Sequence, residues 1–213
     1  MTLKLKQYFI GLLILVAITA IVTVIVLNLT FIYPIISHQH NLDVATGLDH
    51  PTLFYNYRQI VHYLNFPWID TLYMPDFPMS DTGEFHFWEV KVIFHALHGI
   101  ILIFVAFLLG AIKNEKALLP YFNASTNLAF VLFGSISALI LINFNFTFYW
   151  FHRIFFNNDY WIFNPQTDPV IRALPNELFM IKGLLIVALI FLIGIAIKIF
   201  HYKRKARLGS PCS

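Results

Sequence analysis

His86 opens one long apolar segment and His152 closes another. If the two segments are membrane helices joined as a hairpin, both imidazoles arrive at one face of the bilayer. Imidazole is the natural proton shuttle near neutral pH. An ionisable side chain at that depth is costly unless hydrated or paired. Two of them at matching depth on adjacent helices therefore point to a shared site. Glu89 follows His86 by three residues; in a helix the two share a face, and the carboxylate can orient the ring. Taken alone, either histidine could equally be an interfacial residue at a helix end with no chemical role.

The connection after His152 is dense in aromatics, amides and charges, running from Arg153 through Asn157, Trp161, Asn164, Asp168 and Arg172 to Pro175. Arg172 is suited to a phosphate or carbonyl oxygen. Asn157 and Asn164 can give amide N–H groups to a developing oxyanion, or can hold loop backbone. Asp168 is followed by Pro169 and can cap a short helix that ends near Arg172. Serine chemistry lacks its elbow motif: there is no Gly-x-Ser-x-Gly, and Ser80 and Thr167 have no base in sequence context. Cys212, the one cysteine, lies in a polar tail far from these groups, which excludes an intrachain disulfide and a cysteine-rich metal site. His95 and His98 lie further along the His86 segment and read as satisfied core histidines, with haem or metal ligation as the alternative. His38, His40, His50 and His62 form a loose pattern that a transition metal would tolerate.

The chain is 59% hydrophobic and 12% charged, about half the charge of a soluble domain. Ile10 to Leu27 carries no charge, and three further apolar runs follow near 92–112, 128–151 and 183–197. Runs of this length read as spans, because helices satisfy their backbone groups internally. The first is longer than a signal-peptide core and has no clear cleavage site, so it reads as an anchor. Nine of the fourteen Lys and Arg residues (Lys4, Lys6, Lys113, Lys116, Lys198, Lys203, Arg204, Lys205 and Arg207) fall on one side. The positive-inside rule makes that side cytoplasmic, with both termini on it. The net charge of +3 is explained by anionic headgroups, without nucleic acid.

The expected architecture is an all-α integral membrane protein with four transmembrane helices and a single membrane domain over 1–207. The spans are placed at about 8–33, 86–112, 125–151 and 178–200, the outer loops at 34–85 and 152–177, and a flexible tail, native or added, at 208–213. The outer loops should carry short interfacial helices. Pro51 to Phe66 reads as one, with Phe54, Tyr57, Val61 and Leu64 on its apolar side. Pro67 to Gly83 reads as extended or turning, packed over something. Trp68, Trp88, Trp150 and Trp161 all fall on or beside the outer face, as an aromatic belt would. A belt gives no reason for Asn157, Asn164, Asp168 or Arg172.

At this level the chain resembles the lipoprotein intramolecular transacylases (Lit) of Gram-positive bacteria. The resemblance rests on the four-span layout, on His86-Phe87-Trp88-Glu89-Val90-Lys91, and on the run Phe156-Asn157, Trp161 to Pro165, Thr167 to Pro169, Ile171-Arg172 and Leu174-Pro175. Members have an acidic residue three after the first histidine, usually aspartate; here it is Glu89. The resemblance implies transfer of the sn-2 acyl chain of a diacylglyceryl-cysteine lipoprotein to the α-amine of its N-terminal cysteine. His86 and His152 match the family's essential histidines. The substrate amine is its own nucleophile, which suits a chain without a serine elbow. No cofactor is implied. The expected partners are a diacylated lipoprotein in the outer leaflet and membrane lipids, and the expected location is the cell membrane with the site on its extracytoplasmic side. His86 is expected to be the base, oriented by Glu89. His152 is expected to polarise the ester carbonyl, assisted by Arg172 or an Asn, with Arg153 and Arg172 placing positive charge at headgroup level. Two other readings stay open: a non-catalytic outer-face docking or assembly protein, and a haem or quinone redox protein using His95 and His98.

Overall fold

Uncharged apolar runs can lie in lipid only as helices, and the four longest helices here are built on them. The computed structural model describes residues 3–111 and 115–209, apart from the side chains at 3, 111, 115–117 and 205–209. Lys113 and Cys212 lie outside the described residues, as do the side chains of Lys116, Lys205 and Arg207. In chain order the helices are α1 (Leu3–Asn28), α2 (Ile32–Gln39), α3 (Leu42–Thr46), α4 (His50–Asn65), α5 (Asp81–Ala111), α6 (Glu115–Ile142), α7 (Phe144–Phe155) and α8 (Asn176–Gly209), with a 3-10 helix at Pro169–Ala173 before α8. Four segments are long and apolar enough to cross a membrane: Lys4–Asn28, Asp81–Gly110, Leu118–Ile142 and Asn176–Arg204.

The element ends differ from the expected spans in physically clear ways. The first helix stops at Asn28 rather than near 33, and Tyr33 is buried in α2. The expected third span, 125–151, is divided: α6 ends at Ile142, and α7 is a separate amphipathic helix. Asn143 makes the break. Its backbone is extended (φ −157°, ψ 96°), and its side chain accepts a hydrogen bond from Phe146 N, as an N-cap does. His152 therefore sits on α7 and not at the end of a span. The fifth helix begins at Asp81, ahead of the expected 86, so Gly83 is helical rather than in a turn. The eighth runs to Gly209, two residues into the expected tail.

The bundle is centred on α1, which packs against α5, α6 and α8, while α6 also packs against α8. Small residues let the backbones approach. A Cβ on Gly11 would lie 2.9 Å from both Ala124 Cβ and Ser125 N. Leu15, Val22 and Val26 of α1 meet Ala129 and Phe133 of α6 and Val187 and Ile190 of α8. Lys182 of α8 is buried and donates to the carbonyls of Val26 and Leu27. Both are carbonyls of the last turn of α1, where a cation also suits the helix dipole; Val26 O accepts from Leu29 N as well. The fifth helix stands apart: it packs on α1 and on α4, with no comparable contact to α6, α7 or α8.

The connections form a cap with its own core. The amphipathic helix expected at 51–66 is α4, started by Asp49, whose carboxylate accepts from Thr52 N at 2.8 Å, with Pro51 in the first turn. Its buried stripe is Leu53, Asn56, Tyr57, Ile60, Tyr63 and Leu64. Tyr57 and Leu64 are as expected, while Phe54 and Val61 lie at its margin. The segment 67–80 is non-helical and packed, with Leu72, Met74 and Phe77 buried in the same core as Phe87 and Phe94 of α5. Lys91 pins it to α5, donating to Ile69 O and lying over the Tyr63 ring. Tyr33 ties α2 to the second connection through Ala173 O at 2.9 Å. Each fully buried aliphatic side chain such as Leu53 contributes roughly 1.5–3 kcal/mol relative to exposure.

Candidate active site

His86 lies in the second turn of α5, and the start of that helix is fixed from the other connection. Ser80 caps α5 by accepting from Gly83 N. The buried Asp168 carboxylate receives Ser80 N at 2.8 Å, the Ser80 hydroxyl at 2.8 and 2.9 Å, and the Thr167 hydroxyl at 2.6 Å. The approach requires glycine at 83, since a Cβ there would fall 2.3 Å from Asp168 Oδ1. Asp168 does precede the short helix at Pro169 but makes no side-chain cap to it. Its carboxylate is turned to α5 instead, where a charged acceptor near a helix N-terminus is favoured.

His152 reaches His86 from the last turn of α7. The two rings are 5.9 Å apart, centroid to centroid, and both are buried. Aromatic rings close the space around them. Phe156 lies edge-on to His86 at 4.7 Å and Phe163 at 5.7 Å. Trp161 stacks on His152 at 4.7 Å, with Phe148 at 4.1 Å on the same ring. Such walls exclude water and strengthen electrostatic interactions within them.

The two histidines are held differently. His152 Nδ1 is 2.8 Å from Phe148 O. A carbonyl only accepts, so Nδ1 carries the proton and Nε2 presents a lone pair in the neutral ring. Burial holds this imidazole below its ordinary range, partly offset by the bond to Phe148. His86 Nδ1 faces Glu89 Oε2 at 3.7 Å, beyond normal hydrogen-bond length. Both atoms are buried without a hydrogen-bond partner. A movement of well under 1 Å would join them, and catalytic bonds that are long in an empty site commonly tighten on substrate. The other Glu89 oxygen accepts from Asn158 Nδ2 at 2.8 Å.

Asn158 was not singled out by the sequence, yet it connects the two halves. Its side chain holds Glu89, its Oδ1 accepts from Tyr160 N at 3.0 Å, and its backbone carbonyl accepts from Trp161 Nε1 at 3.0 Å. The other loop candidates are placed elsewhere. Asn157 is exposed. Asn164 is exposed and folds its own turn, its Oδ1 accepting from Gln166 N and its carbonyl from Thr167 N and Asp168 N. Arg153 is exposed and paired with Asp159 at 2.8 Å. Arg172 is exposed on the 3-10 helix. His98 Nδ1 meets Phe94 O at 2.8 Å, and His95 is half-buried. Among the described residues no three His, Cys, Asp or Glu side chains converge as a metal would require.

The family described as lipoprotein intramolecular transacylase Lit matches residues 8–179 of the chain. Among solved structures, the chain is similar to the membrane-integral lipoprotein intramolecular transacylase Lit from Bacillus cereus, with a TM-score of 0.82 and 28% identity over 97% of this chain and 98% of that one. Two variants of that enzyme, with one histidine replaced by arginine or by alanine, superpose with a TM-score of 0.71. They are 28% and 29% identical over 97% of this chain and 94% and 96% of theirs. The comparison with curated proteins gave no match. With most of its length matched to one family and its four-span fold shared almost end to end with a solved member, this chain belongs to the lipoprotein intramolecular transacylase Lit family.

Proposed function

We propose that His86 and His152 carry out the acyl transfer of this family, moving the sn-2 acyl chain of a diacylglyceryl-cysteine lipoprotein onto the α-amine of the same cysteine. The chain is a multi-pass membrane acyltransferase; the residue roles and substrate detail are the proposal. The observation that carries it is the pair of buried imidazoles 5.9 Å apart, one backed by a carboxylate and the other by a carbonyl.

The amine nitrogen attacks the ester carbonyl carbon, so no enzyme nucleophile is needed. An attacking amine carries N–H bonds that must be held and finally broken. His86 Nε2 takes the proton, and Glu89 stabilises the resulting imidazolium. His152 Nε2, whose other nitrogen is committed to Phe148, accepts a second N–H and aims the nitrogen lone pair. This moves His152 from the carbonyl side, where the sequence had put it, to the amine side, because a neutral ring protonated at Nδ1 has no donor left for an oxyanion. As the tetrahedral intermediate collapses, the carbon–oxygen bond to glycerol breaks. His86 then returns its proton to the departing sn-2 oxygen. The products are an N-acyl group and a monoacylglyceryl thioether, with no water or cofactor consumed. Holding amine and ester together in a closed aromatic space makes the step unimolecular, an effect that can contribute several kcal/mol.

The charge asymmetry supports an active site on the extracytoplasmic side with both termini inside. The exposed Asn164, replaced by Cys in a Cys212→Ser background, should react with an impermeant maleimide in right-side-out vesicles. Cys212 of the native chain should react only after permeabilisation. For the chemistry, a diacylated lipopeptide is incubated with the enzyme and fragmented in a mass spectrometer, since the total mass is unchanged. Acyl groups should appear on the α-amine with native protein and be nearly absent with His86→Ala or His152→Ala. Near-full activity in either folded variant would overturn the role of that histidine.

A further inference from the structure

A cavity of about 630 Å³ lies between the end of α1, one side of α4 and the middle of α5, and Arg58, Gln59, His62 and His98 are in its wall. None of His86, Glu89, His152 or Asn158 lines it, so it is separate from the acyl-transfer site. Its depth is set by Asn28, the last residue of the first apolar span and part of the same wall. The Asn28 end of the cavity is therefore level with the edge of the hydrocarbon, where phospholipid headgroups lie, while His98 carries its wall toward the middle of α5.

Its chemistry is one-sided. Among the described residues lining it there is no Asp or Glu. Two of the amides are already committed. Asn28 and Asn65 bond reciprocally at 3.1 and 3.0 Å, and each spends its second N–H on a carbonyl of its own helix, Val24 O and Val61 O. Arg58 and Gln59 remain. Arg58 is exposed, and its described contact is the Phe54 ring, 5.9 Å from the guanidinium carbon. The ring restricts the guanidinium by stacking without neutralising it. An unneutralised planar guanidinium beside the Gln59 amide and the His62 imidazole matches phosphate, which takes guanidinium donors in pairs; His98, whose Nδ1 is spent on Phe94 O, lines the wall without supplying a donor.

We propose that this cavity is a phosphate-binding site at headgroup level. A phospholipid can deliver the group from the membrane, and inorganic phosphate can deliver it from solution. A bound headgroup would join α4 of the cap to α1 and α5 of the bundle.

The test uses the full chain and Arg58→Gln, which alters an exposed side chain outside the acyl-transfer machinery. Each is reconstituted in phosphatidylcholine nanodiscs doped with phosphatidylglycerol, and the lipids retained on release are counted by native mass spectrometry. In parallel, thermal unfolding in neutral detergent is followed as inorganic phosphate is added. If the source is lipid, native protein retains phosphatidylglycerol over phosphatidylcholine, and Arg58→Gln reduces that preference at least about tenfold, as loss of charge-assisted bonds implies. If the source is the free ion, phosphate alone raises the unfolding temperature of the native chain and not of Arg58→Gln. A native chain that discriminates in neither arm overturns the proposal. So does an Arg58→Gln variant that behaves like the native chain in both, and Gln59→Leu should shift either readout in the same direction by less.

Discussion

Asn158 shows how one uncharged side chain can govern a pair of histidines. Its amide is the described partner of Glu89, and Glu89 is what distinguishes His86 from His152. In Asn158→Ala the half-buried carboxylate would lose that donor, a cost of about 1–3 kcal/mol. We expect kcat in the lipopeptide assay to fall roughly ten- to a hundredfold with KM little changed, because the interaction serves the imidazolium formed during reaction. Asn158→Asp should be worse than alanine, since it sets a second carboxylate against Glu89. If alanine raised KM and left kcat alone, Asn158 would be a substrate-binding residue instead. His152 gives a test in pH. Burial lowers its folded pKa below the ordinary imidazole value of about 6.5. As pH falls, the unfolded chain takes this proton first, so the contribution of neutral His152 to stability is full above pH 6.5 and is lost below it. Nitrogen NMR of histidine-labelled protein should show the neutral His152 ring protonated at Nδ1, with a titration midpoint below the ordinary imidazole value. A midpoint at or above the ordinary value would refute both the burial effect and the assigned role. At this scale the sequence was informative where spacing is informative: His86 and Glu89 share a helix face because they are three apart. It could not separate Asn158 from Asn157. The choice is made by the turn in which Asn158 Oδ1 receives Tyr160 N, and nothing in the residue types dictates which amide that turn points inward.

Two elements place the histidines, and one of them hid from the sequence. The fourth helix was legible because its apolar residues recur at helical spacing behind Asp49 and Pro51, although the buried stripe is turned toward Leu53, Asn56 and Ile60. The seventh was not. Ile142 and Phe144 are apolar on both sides of Asn143, so hydropathy runs on unbroken where the backbone does not. The cap at Asn143 separates the spanning α6 from the amphipathic α7, and the direction of α7 sets where His152 lies. Asn145 and Phe148 then anchor α7 to the start of α8 through Asn176 and Phe179. We expect Asn143→Leu to remove a cap worth about 1 kcal/mol and to let α6 continue into α7. Helical content should hold or rise slightly while transacylation falls by at least about tenfold, since a displacement near 1 Å can cost a hundredfold. Asn143→Asp and Asn143→Ser keep the cap and should retain most activity. Equal activity in the leucine variant would mean that α7 is placed by its α8 contacts alone. The Asp168–Ser80 tie escaped the sequence for a related reason. Residues 88 positions apart meet only once the second connection folds across α5, and the local pattern at Asp168-Pro169 advertised a different cap.

At the scale of the whole molecule, the packing of four helices is unequal, and the inequality suggests how lipid reaches the histidines. The first, sixth and eighth helices form a closed unit through α1 and the α6–α8 contact, whereas α5 joins it through α1. The two histidines straddle the loose side, with His86 on α5 and His152 on α7 beyond α6. Exposed apolar residues lie on both of these helices, including Trp88, Val92, Leu102 and Ile103 on α5 and Phe151, Ile154 and Phe155 on α7. In water such an array would be a liability, but in a bilayer it is a surface that acyl chains already wet. The substrate is anchored by its chains and never has to leave the membrane. Access from the side therefore costs no transfer of methylenes into water, which would be about 0.8 kcal/mol for each CH₂ exposed. In the proposed orientation the cap, built on its own core, would close the site toward the aqueous side. A lipopeptide with a photoreactive group along its sn-2 chain should label the α5 face at Trp88 and Val92 and the α7 face at Phe151 and Phe155. Labelling should survive in His86→Ala, which binds without turnover. Label confined to exposed cap positions such as Val44 and Trp68, or absent from α5, would mean that the chain enters over the cap and that the gap beside α5 is filled by bulk lipid alone.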